Sequence, residues 1–184
     1  MSAKLTYAVL PPEIKKIAND SLGIGVLKSL FNYNHTYNLM IKISDGVFIG
    51  FAIYHYQTTH IAGQELVTGV IDCVCVAESY RKEGFGTLLT FGILRKMSAY
   101  GADRVELMMK QPPEGGDGRD FEPGVPVIGS GALLDALGFK LIKKYGGYWG
   151  DRSEKYGYDC LFCGNKPDIC DGLLYAITER KSGD

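Results

Sequence analysis

Arg81, Gly84 and Gly86 stand in the spacing R-x-x-G-x-G, directly after the apolar, β-branched run of residues 70 to 76 and directly before a stretch of helical periodicity. A strand, a glycine turn and a helix in that order make a diphosphate cradle. The first amides of a helix lack intrahelical partners and carry partial positive charge, and glycines let an anion come close to them. Two other phosphate motifs are excluded: Gly84-Phe85-Gly86-Thr87-Leu88-Leu89 lacks the third glycine of a dinucleotide fingerprint, and no G-x-x-x-x-G-K-[ST] occurs. Four residues before the end of the strand stands Asp72, a carboxylate among valines, where burial would raise its pKa.

With Val76 five positions before Arg81, residues 76 to 86 carry the pattern that follows the fourth strand in the GNAT superfamily of acetyl-CoA-dependent N-acetyltransferases, and the chain resembles that family. The resemblance implies an α/β (α+β) fold: a mixed, mostly antiparallel sheet, splayed between its fourth and fifth strands and flanked by helices. It implies acetyl-CoA as co-substrate and a primary amine, in a small molecule or a protein, as acceptor, attacking directly in a ternary complex. Aligned on Val76 and Arg81, it assigns main-chain contacts with the thioester and pantetheine to Val74 and Val76, with the Val74 N–H as oxyanion donor. Arg81, Lys82, Gly84, Phe85, Gly86 and Thr87 would surround the diphosphate, mostly through backbone N–H groups.

The resemblance also implies a base, because an alkylamine of pKa about 10 is almost wholly protonated at neutral pH. Asp72 is the first choice. Counted by strand alternation it shares a face with Val70, Val74 and Val76, and His55 and Glu106 on neighbouring strands come second. The family's proton donor, a Tyr in the pattern Y-x-x-x-G-F, is replaced here by Leu134. Tyr145, Tyr148 or Ser130 could stand in, with Tyr145 named as the catalytic choice, or the thiolate could leave unassisted. The resemblance further implies acceptor contacts from residues 31 to 38, with Tyr33, His35 and Tyr37, and from residues 111 to 130, where Glu114, Asp117, Asp120 and Glu122 would attract a cationic amine.

These residues need elements to hold them. The pattern predicts a strand over residues 4 to 10, a helix after Pro11-Pro12 with Ile14, Ile17 and Ala18 on one face, and a second helix bearing Leu22, Val26, Leu27 and Leu30. Strands follow at 39 to 43 and 47 to 56, joined at Ser44-Asp45-Gly46, and at 66 to 76. A helix over 84 to 100 would bury Leu88, Leu89, Ile93 and Met97, with Gly101 as its cap. Then come a strand at 104 to 109, a long loop over 111 to 131, a short helix at 132 to 137, and strands at 139 to 146 and 156 to 163.

A chain of 184 residues suits one domain: a core over about 4 to 163 and an extension over 164 to 184. An apolar fraction of 46% and a charged fraction of 22% are ordinary for a folded protein, and a net charge of −1 gives no electrostatic case for nucleic acid or membrane. With no signal-like start and no apolar run of 18 residues, the expectation is a soluble, cytoplasmic protein, monomer or homodimer. Cys73 and Cys75 read as buried strand residues with free thiols. Cys160-Leu161-Phe162-Cys163, with Cys170 after it, has the spacing of a zinc knuckle but lacks a fourth local ligand, so no metal is assigned and zinc stays the alternative. Two other functions remain open: an acyl-CoA-binding regulatory module without turnover, for which Leu134 speaks, and a zinc-stabilised adaptor.

Overall fold

The computed structural model describes residues 5–111, 131–148, 155 and 171–178. Proline at N1 starts helix α1 (Pro12–Leu22), which buries Ile14, Ile17, Ala18 and Leu22, the spacing of one helical face. Gly23 and Gly25, at φ 111° and 83°, turn the chain out of α1 and into the short helix α2 (Val26–Leu30). Residues 7–9, expected within a strand, form a 3-10 turn instead. Alternation would have buried Val9 beside Tyr7 and Leu5, but Val9 is exposed, and prolines at 11 and 12 leave no length for a ladder.

Strands β1 (Tyr37–Ser44), β2 (Val47–Ile61) and β3 (Gln64–Val76) form an antiparallel meander. Its first turn, Asp45-Gly46, has φ of 51° and 78°, the mirror-image geometry that two-residue hairpins demand. The second, Ala62-Gly63, repeats it with φ of 50° and 80° and lengthens β2 and β3 beyond the residues their patterns suggested. Helix α3 (Phe85–Tyr100) then crosses the sheet to β4 (Arg104–Gln111), which lies parallel to β3. Helix α4 (Gly131–Ala136), β5 (Lys140–Tyr145) and β6 (Asp171–Thr178) complete the described elements. The six strands run in the order β1-β2-β3-β4-β6-β5, antiparallel except for β3 beside β4.

Two differences bear on the site. The last strand lies at 171–178, in what the sequence suggested was an extension, and inserts between β4 and β5; the expected strand at 156 to 163 falls outside the described residues. In α3 the buried residues are Leu89, Thr90, Ile93 and Met97, while Leu88 points outward, 59% exposed. Each face of the sheet has its own core. Phe51, Ile53, Cys73 and Cys75 pack with α1 and α2, and Ala52, Tyr54, Ile71 and Val105 pack with Ile93 and Met97 of α3 and Leu134 of α4.

Candidate active site

The ladder between β3 and β4 is only four pairs long, from Thr68 opposite Arg104 to Ile71 opposite Leu107. Beyond it, among the described residues, β3 runs on to Val76 held only by β2, and β4 runs on to Gln111 held only by β6, so the sheet opens into a wedge. The Ala77 N–H donates to the Ile49 carbonyl on β2 at 2.8 Å. Strand alternation then turns the polar groups of Cys75 and Cys73 toward β2 and those of Val74 and Val76 into the wedge. Apart from the Val76 carbonyl, which Arg81 holds, that leaves a strip of main chain to which an extended ligand can add as a strand would.

Where β3 ends, the chain passes through Arg81 to Gly84 and enters α3. Lys82 and Gly84 both adopt left-handed φ, 67° and 83°, and Gly84 as N-cap supplies no side-chain cap. The first helical bond is Leu88 N–H to the Gly84 carbonyl, at 3.0 Å, so the amides of Phe85, Gly86 and Thr87 precede the intrahelical ladder and face outward from the helix end. A Cβ at Gly84 would meet nothing within 4 Å, and one at Gly86 only a Val76 methyl at 3.9 Å, which leaves this turn open to a diphosphate. The Arg81 side chain does not line this cradle. Its Nε donates to the Val76 carbonyl at 3.1 Å and its Nη2 to Ser21 Oγ of α1 at 3.1 Å, which fastens the end of β3 to α1.

Asp72 sits at a fault in the strand. Ile53 pairs with Cys73 and Tyr54 with Ile71, so Asp72 is the extra residue of a β-bulge. The bulge breaks the alternation on which the sequence argument relied: Val74 packs on the α3 side, whereas Asp72 turns to the α1/α2 side. There His55 Nδ1 lies 2.8 Å from Asp72 Oδ2, with side chains 5% and 11% exposed. An ionised carboxylate can only accept, so Nδ1 carries the hydrogen in this contact. Nε2 is buried and has no hydrogen-bond partner among the described residues. Burial pushes the Asp72 pKa up, and the hydrogen bond and charge of His55 only partly counter it.

Three aromatic residues from the α2–β1 connection and the start of β1 cover this pair. His35 stacks on His55, centroids 4.1 Å apart at 16°, and Tyr33 stacks on His35 at 6.0 Å and 24°. Tyr37 meets both imidazoles edge-on, and its hydroxyl donates to the Leu30 carbonyl, so it is a fixed wall and not a free donor. His35 is partly exposed; its pKa is lowered by burial and by His55, with Asp72 pulling the other way.

The other expected residues are placed less centrally. Glu106 is held by Arg104 Nε at 2.7 Å. Leu134 is 3% exposed inside the α3-side core, where it packs as an apolar residue. Tyr145 lies on edge strand β5, with β6 and β4 between it and β3, roughly 14 Å away at the usual strand spacing. Tyr148 reaches back instead: a Cβ on Gly172 of β6 would meet its ring at 2.9 Å and Met108 Sδ of β4 at 3.0 Å. Ser130, the acidic segment with Glu114, Asp117, Asp120 and Glu122, and Cys160, Cys163 and Cys170 lie outside the described residues. Among the described residues no group of three His, Cys, Asp or Glu side chains could hold a metal, and no helix is long and apolar enough to cross a membrane. A groove of about 530 Å³ beside Tyr54, Tyr56 and Tyr100 opens on the α3 side and shares no residue with the Asp72 cluster.

The sheet is thus parted between parallel strands above an open helix N-terminus, and the comparisons give the family. The profile of the "Acetyltransferase (GNAT) family" matches residues 12–112, and the chain belongs to that family. No curated protein matches it by sequence. Among solved structures it is similar to a GNAT family acetyltransferase from Elizabethkingia anophelis with acetyl-CoA bound, at 14% identity and TM-score 0.63, over 95% of each chain. It is also similar to the ribosomal-protein-S18-alanine N-acetyltransferase of Escherichia coli, at 16% identity and TM-score 0.61, over 99% of this chain and 95% of that one. A third is Arabidopsis thaliana NAA60 in complex with a bisubstrate analogue, at 15% identity and TM-score 0.58, over 98% of each. At such identities the likeness speaks for the GNAT fold, with its six-stranded, mostly antiparallel sheet.

Proposed function

We propose that the chain transfers an acetyl group from acetyl-CoA to a primary amine by direct attack in a ternary complex. The observation that carries this reading is the wedge between β3 and β4, which leads from the amides of Phe85, Gly86 and Thr87 along Val74 and Val76 to the bulge at Asp72. The similar Elizabethkingia structure, with acetyl-CoA bound, supports the same co-substrate here. Acetyl-CoA would supply the activated acetyl thioester, its diphosphate against the α3 amides beside Lys82 and its pantetheine arm along Val74 and Val76. The Val74 N–H faces the wedge and is the donor for the carbonyl oxygen as it gains charge. Arg81 serves this site from behind, as the clamp on the end of β3.

The acceptor would enter from the α1/α2 side, past Tyr33 and His35, with Tyr148 on the far wall. Its proton would be drawn to the Asp72 cluster, the buried anionic centre on that face. For the leaving thiolate, Tyr148 is better placed than Tyr145, and a thiol of pKa about 8.5 also leaves without help. The test is acetyl-CoA binding by calorimetry, together with CoA release in the presence of spermidine, kanamycin, a lysine-containing peptide and a peptide with a free α-amine. CoA release with at least one of the four, together with binding, supports the reading. Binding without release would favour the regulatory module, and absence of binding would remove the assignment.

A further inference from the structure

Three groups in the site could take a proton, and only one of them is open to an acceptor. Asp72 and the His55 ring are buried, with side chains 11% and 5% exposed, and His55 Nε2 is sealed. His35 lies on top of them, stacked on His55 at 4.1 Å and partly exposed. We infer that His35 is the group that touches the acceptor amine and receives its proton, with the Asp72–His55 pair acting through it as a buried, negatively charged support. The inference rests on the acetyl-transfer reading above and names the acceptor side of that site.

The stack explains how an ordinary imidazole could do this. His55 Nδ1 is engaged with the Asp72 carboxylate, and its Nε2 is buried with no partner among the described residues, so an acceptor amine cannot reach this ring to hand it a proton. A proton arriving on His35 then turns a neutral ring into a cation within the field of the Asp72 carboxylate, and in a partly desolvated site that attraction is stronger than in water. Burial and His55 hold the His35 pKa below its ordinary value, so the ring is neutral and ready at pH 7, while Asp72 opposes that shift. Among the described residues the titratable groups facing His35 are His55 from β2, Asp72 from β3, Tyr33 from its own connection and Tyr37 from the start of β1. Burial pushes the Tyr37 hydroxyl up, so it stays neutral near pH 7, and Asp72 is the carboxylate that acts on His35.

The step balances. The amine nitrogen bonds to the acetyl carbonyl carbon and the carbon–sulfur bond breaks, its electron pair leaving on the thiolate. Before attack the acceptor's ammonium gives one proton to His35, which passes it to solvent; after attack the nitrogen's second surplus proton passes to His35, which becomes imidazolium again and returns it to the thiolate. The products are amide and thiol.

The test is His35→Phe, which keeps a stacking ring and removes the proton site, assayed with whichever acceptor of the four supports the highest CoA release. The expected result is a kcat at pH 7 lower by about a hundredfold, acceptor KM within about threefold, and an unchanged acetyl-CoA affinity. The deficit should narrow toward pH 9.5, because the amine then sheds its proton without help, a rescue that a structural role for His35 would not show. His35→Gln should behave alike and covers the case in which the phenylalanine variant fails to fold. In wild type, NMR of labelled histidines should show His35 titrating below the ordinary value and, in Asp72→Asn, lower still, because the stabilising anion is gone. A kcat within a few fold of wild type with the same pH profile overturns the inference while leaving the acetyl-transfer reading intact, as does a loss confined to KM or a His35 titration unmoved by Asp72→Asn. Wild-type protein that acetylates none of the four amines overturns both.

Discussion

Asp72→Asn separates a functional carboxylate from a structural one. The asparagine is nearly isosteric and its carbonyl oxygen can still accept from His55 Nδ1–H, so the bulge, the stack and the wedge should persist. Two terms change in stability. A charge-assisted hydrogen bond becomes a neutral one, a loss of about 1 kcal/mol, while the cost of burying an ion disappears. Burial raises the Asp72 pKa, and the sign follows: the folded state holds this proton more tightly than the unfolded chain does. The carboxyl's contribution to stability is therefore fully present below the unfolded pKa and is lost as pH rises through the folded one. Asp72→Asn cannot ionise, so it should melt within about 2–4 °C of wild type at neutral pH, and its melting temperature relative to wild type should climb between pH 4 and pH 8. Turnover at pH 7 should fall about a hundredfold, equivalent to about 2.7 kcal/mol of transition-state stabilisation, with acetyl-CoA affinity little changed. Thermal melts by circular dichroism across that pH range, paired with CoA-release kinetics, check both halves. A variant destabilised by more than about 3 kcal/mol, or folded with near-normal turnover, would refute the reasoning.

Gly86→Asp places a side chain and a negative charge against the α3 amides, so calorimetry should show acetyl-CoA binding lost from a folded protein; wild-type affinity would remove the cradle assignment. Arg81→Met removes the bonds to the Val76 carbonyl and Ser21 Oγ and should cost about 1–3 kcal/mol in urea denaturation, with a smaller effect on acetyl-CoA affinity than Gly86→Asp. Gly50→Ala should destabilise more than Gly69→Ala. A Cβ at Gly50 would stand 2.6 Å from the Cys75 carbonyl, which is backbone, while one at Gly69 meets the Met97 thioether at 2.5 Å, which can swing aside. Equal melting temperatures for the two would show that the sheet gives way as readily as the side chain does.

Local features made much of this protein legible from its sequence. The R-x-x-G-x-G turn, the Asp45-Gly46 hairpin and the Pro12 helix start are written in residues whose backbone preferences act over a few positions, so a strand, a turn and a helix could be placed and the family resemblance drawn from them. Pairing is different. The Ala62-Gly63 turn carries an alanine at φ 50°, a weak signal, yet once it is known, residues of β2 and β3 from Ile61 and Gln64 up to Tyr54 and Ile71 pair in an unbroken register that puts His55 opposite Val70, beside Asp72. Periodicity could not show that the register then slips by one residue, and that slip turns Asp72 away from Val74 and toward His55. Likewise an apolar run at 171–178 looks the same whether it ends a chain or fills the middle of a sheet, and only hydrogen bonds to β4 and β5 decide. The sequence by itself determined helices α1 and α3, the β1–β2 hairpin and the glycine turn before α3, because those depend on neighbours along the chain. The tertiary structure alone decided that the Arg81 side chain serves the strand and that two histidines twenty residues apart stack over one carboxylate, because those contacts depend on which strands lie side by side.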